Sequence, residues 1–180
     1  MTRLWVRHAT LALVLGACGG SAAPTTPTAT TATGGNGMEL TSTAFRHEAR
    51  IPSKYTCDGT EVSPPLQIAG IPADTAALAL IVEDPDAPRG TWDHWVVYDI
   101  PVTTSIPEGV ESIGTTGVST GGEQGYESPC PPSGSHRYVF TIYALDSTLG
   151  LGPGANKVAL LAAMEGHVLA SATLLGRYSR

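Results

Sequence analysis

Residues 76–100 read AALALIVEDPDAPRGTWDHWVVYDI. Ala76 to Val82 is a continuous apolar run with β-branched residues near its end. That pattern fits a strand covered on both faces. His94 to Ile100 is aromatic and β-branched and reads as a second strand. Between them, Pro85 and Pro88 fix the backbone and remove two amide donors, so Asp84 to Pro88 forms a stiff turn. If the two strands are antiparallel neighbours, Asp84, Asp86 and His94 meet at one end of a sheet.

The chain downstream repeats this grammar. Arg137 to Leu145 (RYVFTIYAL) is a third strand, bounded by Gly134 and Asp146. With a period of two, His136 and Tyr138 share one face and Arg137 takes the other, where an ion pair or a cover over carbonyls suits it. Val168 to Leu175 is a late strand. One helix stands out at about 156–166. Asn156 can cap it, and Gly166 is placed to end it. Leu160, Leu161, Met164 and Val168 lie at helical spacing and read as its packed stripe. The expectation is a mostly β, antiparallel-dominated sandwich with one or two short helices.

The chain has 180 residues, 42% hydrophobic and 14% charged, with a formal net charge of −6. This is enough for one domain with its own core. The acidic balance and the lack of any Lys/Arg run argue against a nucleic-acid partner.

The first residues read as an address, not as fold. Arg3 and Arg7 precede a short apolar stretch, Ala9 to Ala17, far below the length of a membrane span. The ending Leu15-Gly16-Ala17-Cys18 resembles a bacterial lipobox, which implies cleavage at residue 17 and lipidation of Cys18. Loss of Arg3 and Arg7 would leave 8 Lys+Arg against 16 Asp+Glu, or 8 − 16 = −8. Attachment would then rest on the acyl chains. Residues 18–37 are small and polar and read as a lipidated tether, with a domain over 38–180. The expected location is a membrane-anchored lipoprotein on the extracytoplasmic side. With Cys18 lipidated, Cys57 and Cys130 remain as a candidate disulfide in an oxidising compartment.

Two clusters carry most of the unusual polar residues: 83–94, with Asp84, Asp86 and His94, and 125–138, with Ser128, Pro129, Cys130, His136 and Tyr138. A carboxylate beside a histidine favours its charged form, and a charged imidazole with a tyrosine hydroxyl can donate to an anion. Other chemistries are weaker. Asp84, Asp86, His94 and His136 could ligate a metal, but no HExxH or CxxC spacing supports it, so neither metal nor cofactor is expected. Ser128 near His136 and Asp84 imitates a nucleophile set. The chain lacks a GxSxG elbow, and Pro129 has no N–H for an oxyanion. Asp93 reads as a turn or surface residue. His47 and His167 lack a partner motif, and Trp95 and Tyr143 read as core.

Together these residues resemble the phosphatidylethanolamine-binding protein family, in its bacterial Raf-kinase-inhibitor-like branch. The matching stretches are Tyr55 to Gly59, Ser63 to Leu66, Asp84 to Pro88, Asp93 to Tyr98 with Ile100-Pro101, Pro129 to Pro132, Gly134 with His136 to Tyr138, Tyr143 to Asp146, and Ala163 to His167 with Gly176. The resemblance spans about 38–180. It implies a β-sandwich with a small pocket for phosphate-like groups, including phospholipid head groups, formed here by Asp84, Asp86, His94, the 128–130 loop, His136 and Tyr138. It also implies a non-enzymatic role, with kinase- or protease-inhibitor-like regulation among the family's descriptions. A module docking acidic or phosphorylated peptides is the main alternative. Three positions depart from the pattern: Ser128 stands where Gly is usual, Ile68 where Trp is common, and the Ser119 to Gly122 loop lacks the usual motif before Gly125-Tyr126.

Overall fold

The structure, a computed structural model, describes residues 37–180. The signal segment, Cys18 and nearly all of the tether lie outside the described residues. The fold is mostly β, with two antiparallel sheets facing each other. The smaller sheet holds β1 (Glu39–Thr41), β2 (Leu66–Ala69) and β5 (Ser105–Ile106), in the order β1-β2-β5. The larger holds β3 (Ala77–Asp84), β4 (Trp92–Ile100), β6 (Thr115–Thr116), β7 (Ser135–Leu145) and β8 (Val168–Ser179), in the order β6-β4-β3-β7-β8. The helix α1 (Lys157–Met164) packs on the outer face of the larger sheet, and a single 3-10 turn occupies Ser53–Tyr55.

The apolar run of β3 is explained by its two covered faces. Leu78, Leu80 and Val82 point into the core between the sheets, with Phe140 and Ile142 of β7 and Leu40, Leu66 and Ile68 of the small sheet. Ala79 and Ile81 point outward beneath α1, with Val96, Tyr98, Leu160 and Met164. Each buried Leu, Ile or Phe of this kind contributes roughly 1.5–3 kcal/mol by leaving water. Asp84 continues the Leu78-Leu80-Val82 alternation to the end of the inter-sheet layer.

The ends of β3 and β8 and the starts of β4 and β7 lie together, because these strands pair antiparallel. This is the end where the polar clusters fall. The strands are longer than the sequence reading suggests: β3 runs to Asp84, β4 begins at Trp92, and β8 continues past Gly176 to Ser179. At Gly176 a Cβ would stand 2.5 Å from Ile51 Cγ1. A glycine there lets the 46–51 segment cross closely, with Ile51 N–H donating to the Arg177 carbonyl (2.8 Å).

The helix differs from the expected stripe. Asn156 caps it, its side chain accepting from the Ala159 amide at 3.0 Å. Only Leu160 and Met164 are buried, whereas Leu161 is 43% and Val168 44% exposed. The helix is eight residues long, so Val168 falls beyond it in β8, and Leu161 sits about 100° around from Leu160, off the packed face.

Candidate functional site

A cavity of about 270 Å³ opens at the shared strand ends. Among the candidate residues, Asp84, His94, Ser128, Cys130, His136 and Tyr138 line it. Asp84, His136 and Tyr138 arrive by strand alternation. His94 arrives by a different route. Val82 pairs with Trp95 and Glu83 with Asp93, which leaves His94 as an extra residue opposite no partner. Simple alternation would send His94 to the outer face with Val96 and Tyr98. The β-bulge re-aims it inward beside Trp95. Its ring meets the Tyr138 ring edge-on, centroids 5.2 Å apart.

Asp84 anchors the floor. One carboxylate oxygen accepts from His136 Nδ1 at 2.6 Å, and the other accepts from the Asp86 amide at 2.8 Å. The carboxylate therefore holds both the pocket imidazole and the following turn. With Nδ1 donating to Asp84, His136 keeps Nε2 for a ligand. His94 donates from Nδ1 to the Glu127 carbonyl (2.8 Å), which likewise leaves its Nε2 free. Burial pushes the His94 pKa down, against the opposing pull of Glu127 and Asp84. The expectation that nearby carboxylates favour its charged form is thus reversed for His94, because desolvation outweighs them.

Tyr138 is fully buried, yet its hydroxyl has no hydrogen-bond partner among the described residues. Burial, then the Asp84 charge, raises its pKa and keeps the phenol protonated. A buried hydroxyl without a partner beside a cavity is an unmet demand for one.

Two candidates lie outside the cavity lining. Asp86 is drawn away by Arg137: its carboxylate accepts from the Arg137 amide and Nε (both 2.9 Å) and from Nη2 (2.7 Å). The side-chain bonds to Arg137 pull the Asp86 pKa down from 3.8 to about 2. Arg137 faces away from His136 and Tyr138, and Asp86 goes with it. Pro129 offers its carbonyl to the Cys57 amide (3.1 Å) instead of a surface to the cavity.

The 126–130 wall is fastened to the 53–61 segment. Cys57 and Cys130 form a disulfide with Cα atoms 5.4 Å apart. Tyr126 donates to the Tyr55 carbonyl (2.9 Å), and Ser128 Oγ donates to Glu61 (2.7 Å). Glu61 itself sits at φ 59°, an uncommon conformation for a residue with a side chain.

Several lining residues were not singled out from sequence. Pro88, Pro131 and Pro132 build apolar walls, Arg89 stands among the lining residues, and Trp92 and Glu127 brace each other through Nε1 and Oε1 at 2.9 Å. Trp92 and Glu127 belong to the two polar clusters, which was the available signal; Glu61 had none. Asp93 is neither a turn nor a surface residue: it lies in β4, largely covered, and pairs with Lys157, while His167 is exposed and pairs with Asp146 at 2.8 Å. No group of three or more His, Cys, Asp or Glu placed to hold a metal occurs among the described residues.

The chain matches the family model for the phosphatidylethanolamine-binding protein over residues 41–179. It is 50% identical over 150 residues to a UPF0098 protein of Methanothermobacter thermautotrophicus, covering 79% of this chain and 99% of that one. A UPF0098 protein of Chlamydia muridarum is 48% identical over 149 residues, with the same coverage. Among solved structures, a putative phosphatidylethanolamine-binding protein homolog from Chlamydia trachomatis superposes with a TM-score of 0.78 at 45% identity, covering 81% of this chain and 99% of that one. Escherichia coli YbcL, described as a new member of the mammalian family, gives 0.73 at 25% identity, covering 79% and 98%.

Proposed function

The chain belongs to the phosphatidylethanolamine-binding protein family, and from that premise we propose that it is a binding protein whose cavity holds one small anionic group of the phosphate type. The observation that carries this reading is the convergence of Asp84, His94, His136 and Tyr138 on one cavity. Its volume of about 270 Å³ falls just below the range of roughly 300–1,000 Å³ for drug-sized ligands, which suits a head group better than a whole lipid. Tyr138 supplies a hydroxyl donor. His136, held at Nδ1 by Asp84, turns Nε2 toward the group. His94 offers Nε2 at the side.

The reading is of binding without catalysis. Ser128 spends its hydroxyl proton on Glu61, not on a histidine. No imidazole stands ready to activate it. The prolines of the wall and the disulfide give a preformed pocket, which suits binding.

Export and anchoring complete the proposal. Cleavage after Ala17 and lipidation of Cys18 would hold the domain at the extracytoplasmic membrane face. Metabolic labelling with a radioactive fatty acid tests this: label is expected on the unsubstituted protein and lost in Cys18→Ser.

The binding test is calorimetric titration with inorganic phosphate at pH 6. Saturable binding is expected, weakened tenfold or more in His136→Ala and in His94→Ala, each with a cooperative unfolding transition. Unchanged affinity in both variants would defeat the assignment.

A further inference from the structure

The cavity floor poses an electrostatic problem for an anion. Asp84 carries a negative charge there, and His94 is held toward its neutral form by burial. Glu127 also lines the cavity, and Glu61 stands behind Ser128. The other titratable lining groups are His136, which donates to Asp84, and Tyr138, a protonated phenol. None of these is a permanent positive charge. Hydrogen-bond donors alone hold an anion weakly beside these carboxylates, and a fixed cation at the cavity would supply the missing attraction.

Arg89 is that cation. Among the lysines and arginines of the described residues, it alone lines the cavity. It is exposed, and no hydrogen bond or ion pair holds its guanidinium. The other cations are occupied, with one exception. Lys54 pairs with Glu108, Arg137 with Asp86, Lys157 with Glu83 and Asp93, Arg177 with Glu48, and Arg180 with Asp58. Arg50 donates to Ser179. Arg46 has no partner, but it does not line the cavity.

The backbone beside Arg89 is pinned while the side chain is left free. Pro85 and Pro88 fix φ on its N-terminal side. The Asp86 carboxylate holds the turn to Arg137, and Gly90 N–H donates to the Ala87 carbonyl at 3.1 Å. Gly90 at φ 104° closes that turn in a conformation open to glycine. The nearby carboxylates that would compete for the guanidinium are already used, Asp84 by His136 and Asp86 by Arg137.

We propose that Arg89 is the anion-anchoring residue of this cavity: its guanidinium engages the ligand's charged oxygens at the mouth, while Tyr138 and the histidines receive the inward-facing part. The inference rests on the phosphate-binding reading of the site and adds to it where the charge is held. Planar, bidentate recognition of a phosphoryl or carboxylate group is the chemistry a guanidinium supplies.

The test is titration with inorganic phosphate at pH 8, where free imidazole is mostly neutral, and again at pH 6. Arg89→Ala is expected to lose tenfold or more in affinity at pH 8. Arg89→Lys keeps the charge and loses less. Arg46→Ala makes the same charge change away from the cavity and stays within twofold of the unsubstituted protein. An exposed arginine without partners should leave the unfolding midpoint unchanged when replaced. If the unsubstituted protein binds phosphate and Arg89→Ala matches it within twofold, Arg89 is not the anchor, although the cavity remains an anion site. An equal loss in Arg46→Ala also overturns the inference, because net charge would then explain the effect. If the unsubstituted protein binds no phosphate at either pH, the underlying reading of the cavity fails together with this one.

Discussion

The His136 imidazole stands 2.6 Å from the Asp84 carboxylate, with the two side chains only 9% and 5% exposed. The same carboxylate accepts the Asp86 amide. One buried residue thus orients the pocket histidine and starts the turn that carries Arg89. Removing it leaves a buried imidazole N–H and a backbone amide without acceptors. Asp84→Ala is expected to cost about 2–4 kcal/mol of stability, read from the urea midpoint. A midpoint matching the unsubstituted protein would show that neither bond matters to the fold.

Tyr138 separates binding from folding. Its hydroxyl is buried and unpaired, so Tyr138→Phe removes an unsatisfied group and should leave stability within about 0.5 kcal/mol, or raise it slightly. Phosphate affinity should fall several-fold in the same variant. Unchanged affinity would remove the hydroxyl from the site.

Burial lowers the native pKa of His94 below its ordinary 6.5. The unfolded chain therefore binds a proton at this residue before the native state does. The penalty is absent well above pH 6.5 and grows as pH falls through 6.5 toward the lower native value. The urea midpoint should drop between pH 8 and pH 5.5. His94→Gln should show a smaller drop, and an identical drop would place the effect elsewhere.

The disulfide closes a long loop, Cys57 and Cys130 being 73 residues apart. On the chain-entropy model this is worth about 4 kcal/mol. Thiol titration of denatured protein comprising residues 38–180 should find no free thiol. Cys57→Ser with Cys130→Ser should lower stability, and phosphate affinity should fall with it because the 128–130 wall loses its fastening. Two titrating thiols would rule the bridge out.

The long strands were legible because their patterns are strong. Residues 76–82, 94–100 and 137–145 are apolar and β-branched, and antiparallel pairing of the first two already gathers Asp84 and His94 at one end. The strands of two to four residues, β1, β2, β5 and β6, were not anticipated, because so few residues show no periodicity. Asp86 looked equivalent to Asp84 in the Asp-Pro-Asp motif. Alternation already puts Arg137 on the opposite face, but only the hydrogen bonds it donates show that it draws Asp86 there. His94 was identified for its position at a strand start, whereas its orientation depends on a bulge that pairing creates and local sequence does not encode. As sequence, Arg89 is an isolated arginine in a loop, which is ordinary. Its meaning comes from the pairing of the cations around it.

The most direct test of the cavity as an anion site is a crystal structure of the protein soaked in inorganic phosphate. The account predicts a phosphate inside the 84/94/136/138 cavity, with oxygens about 3 Å from His136 Nε2 and the Tyr138 hydroxyl. A saturated crystal with the cavity free of phosphate, or with phosphate bound only elsewhere, would contradict it.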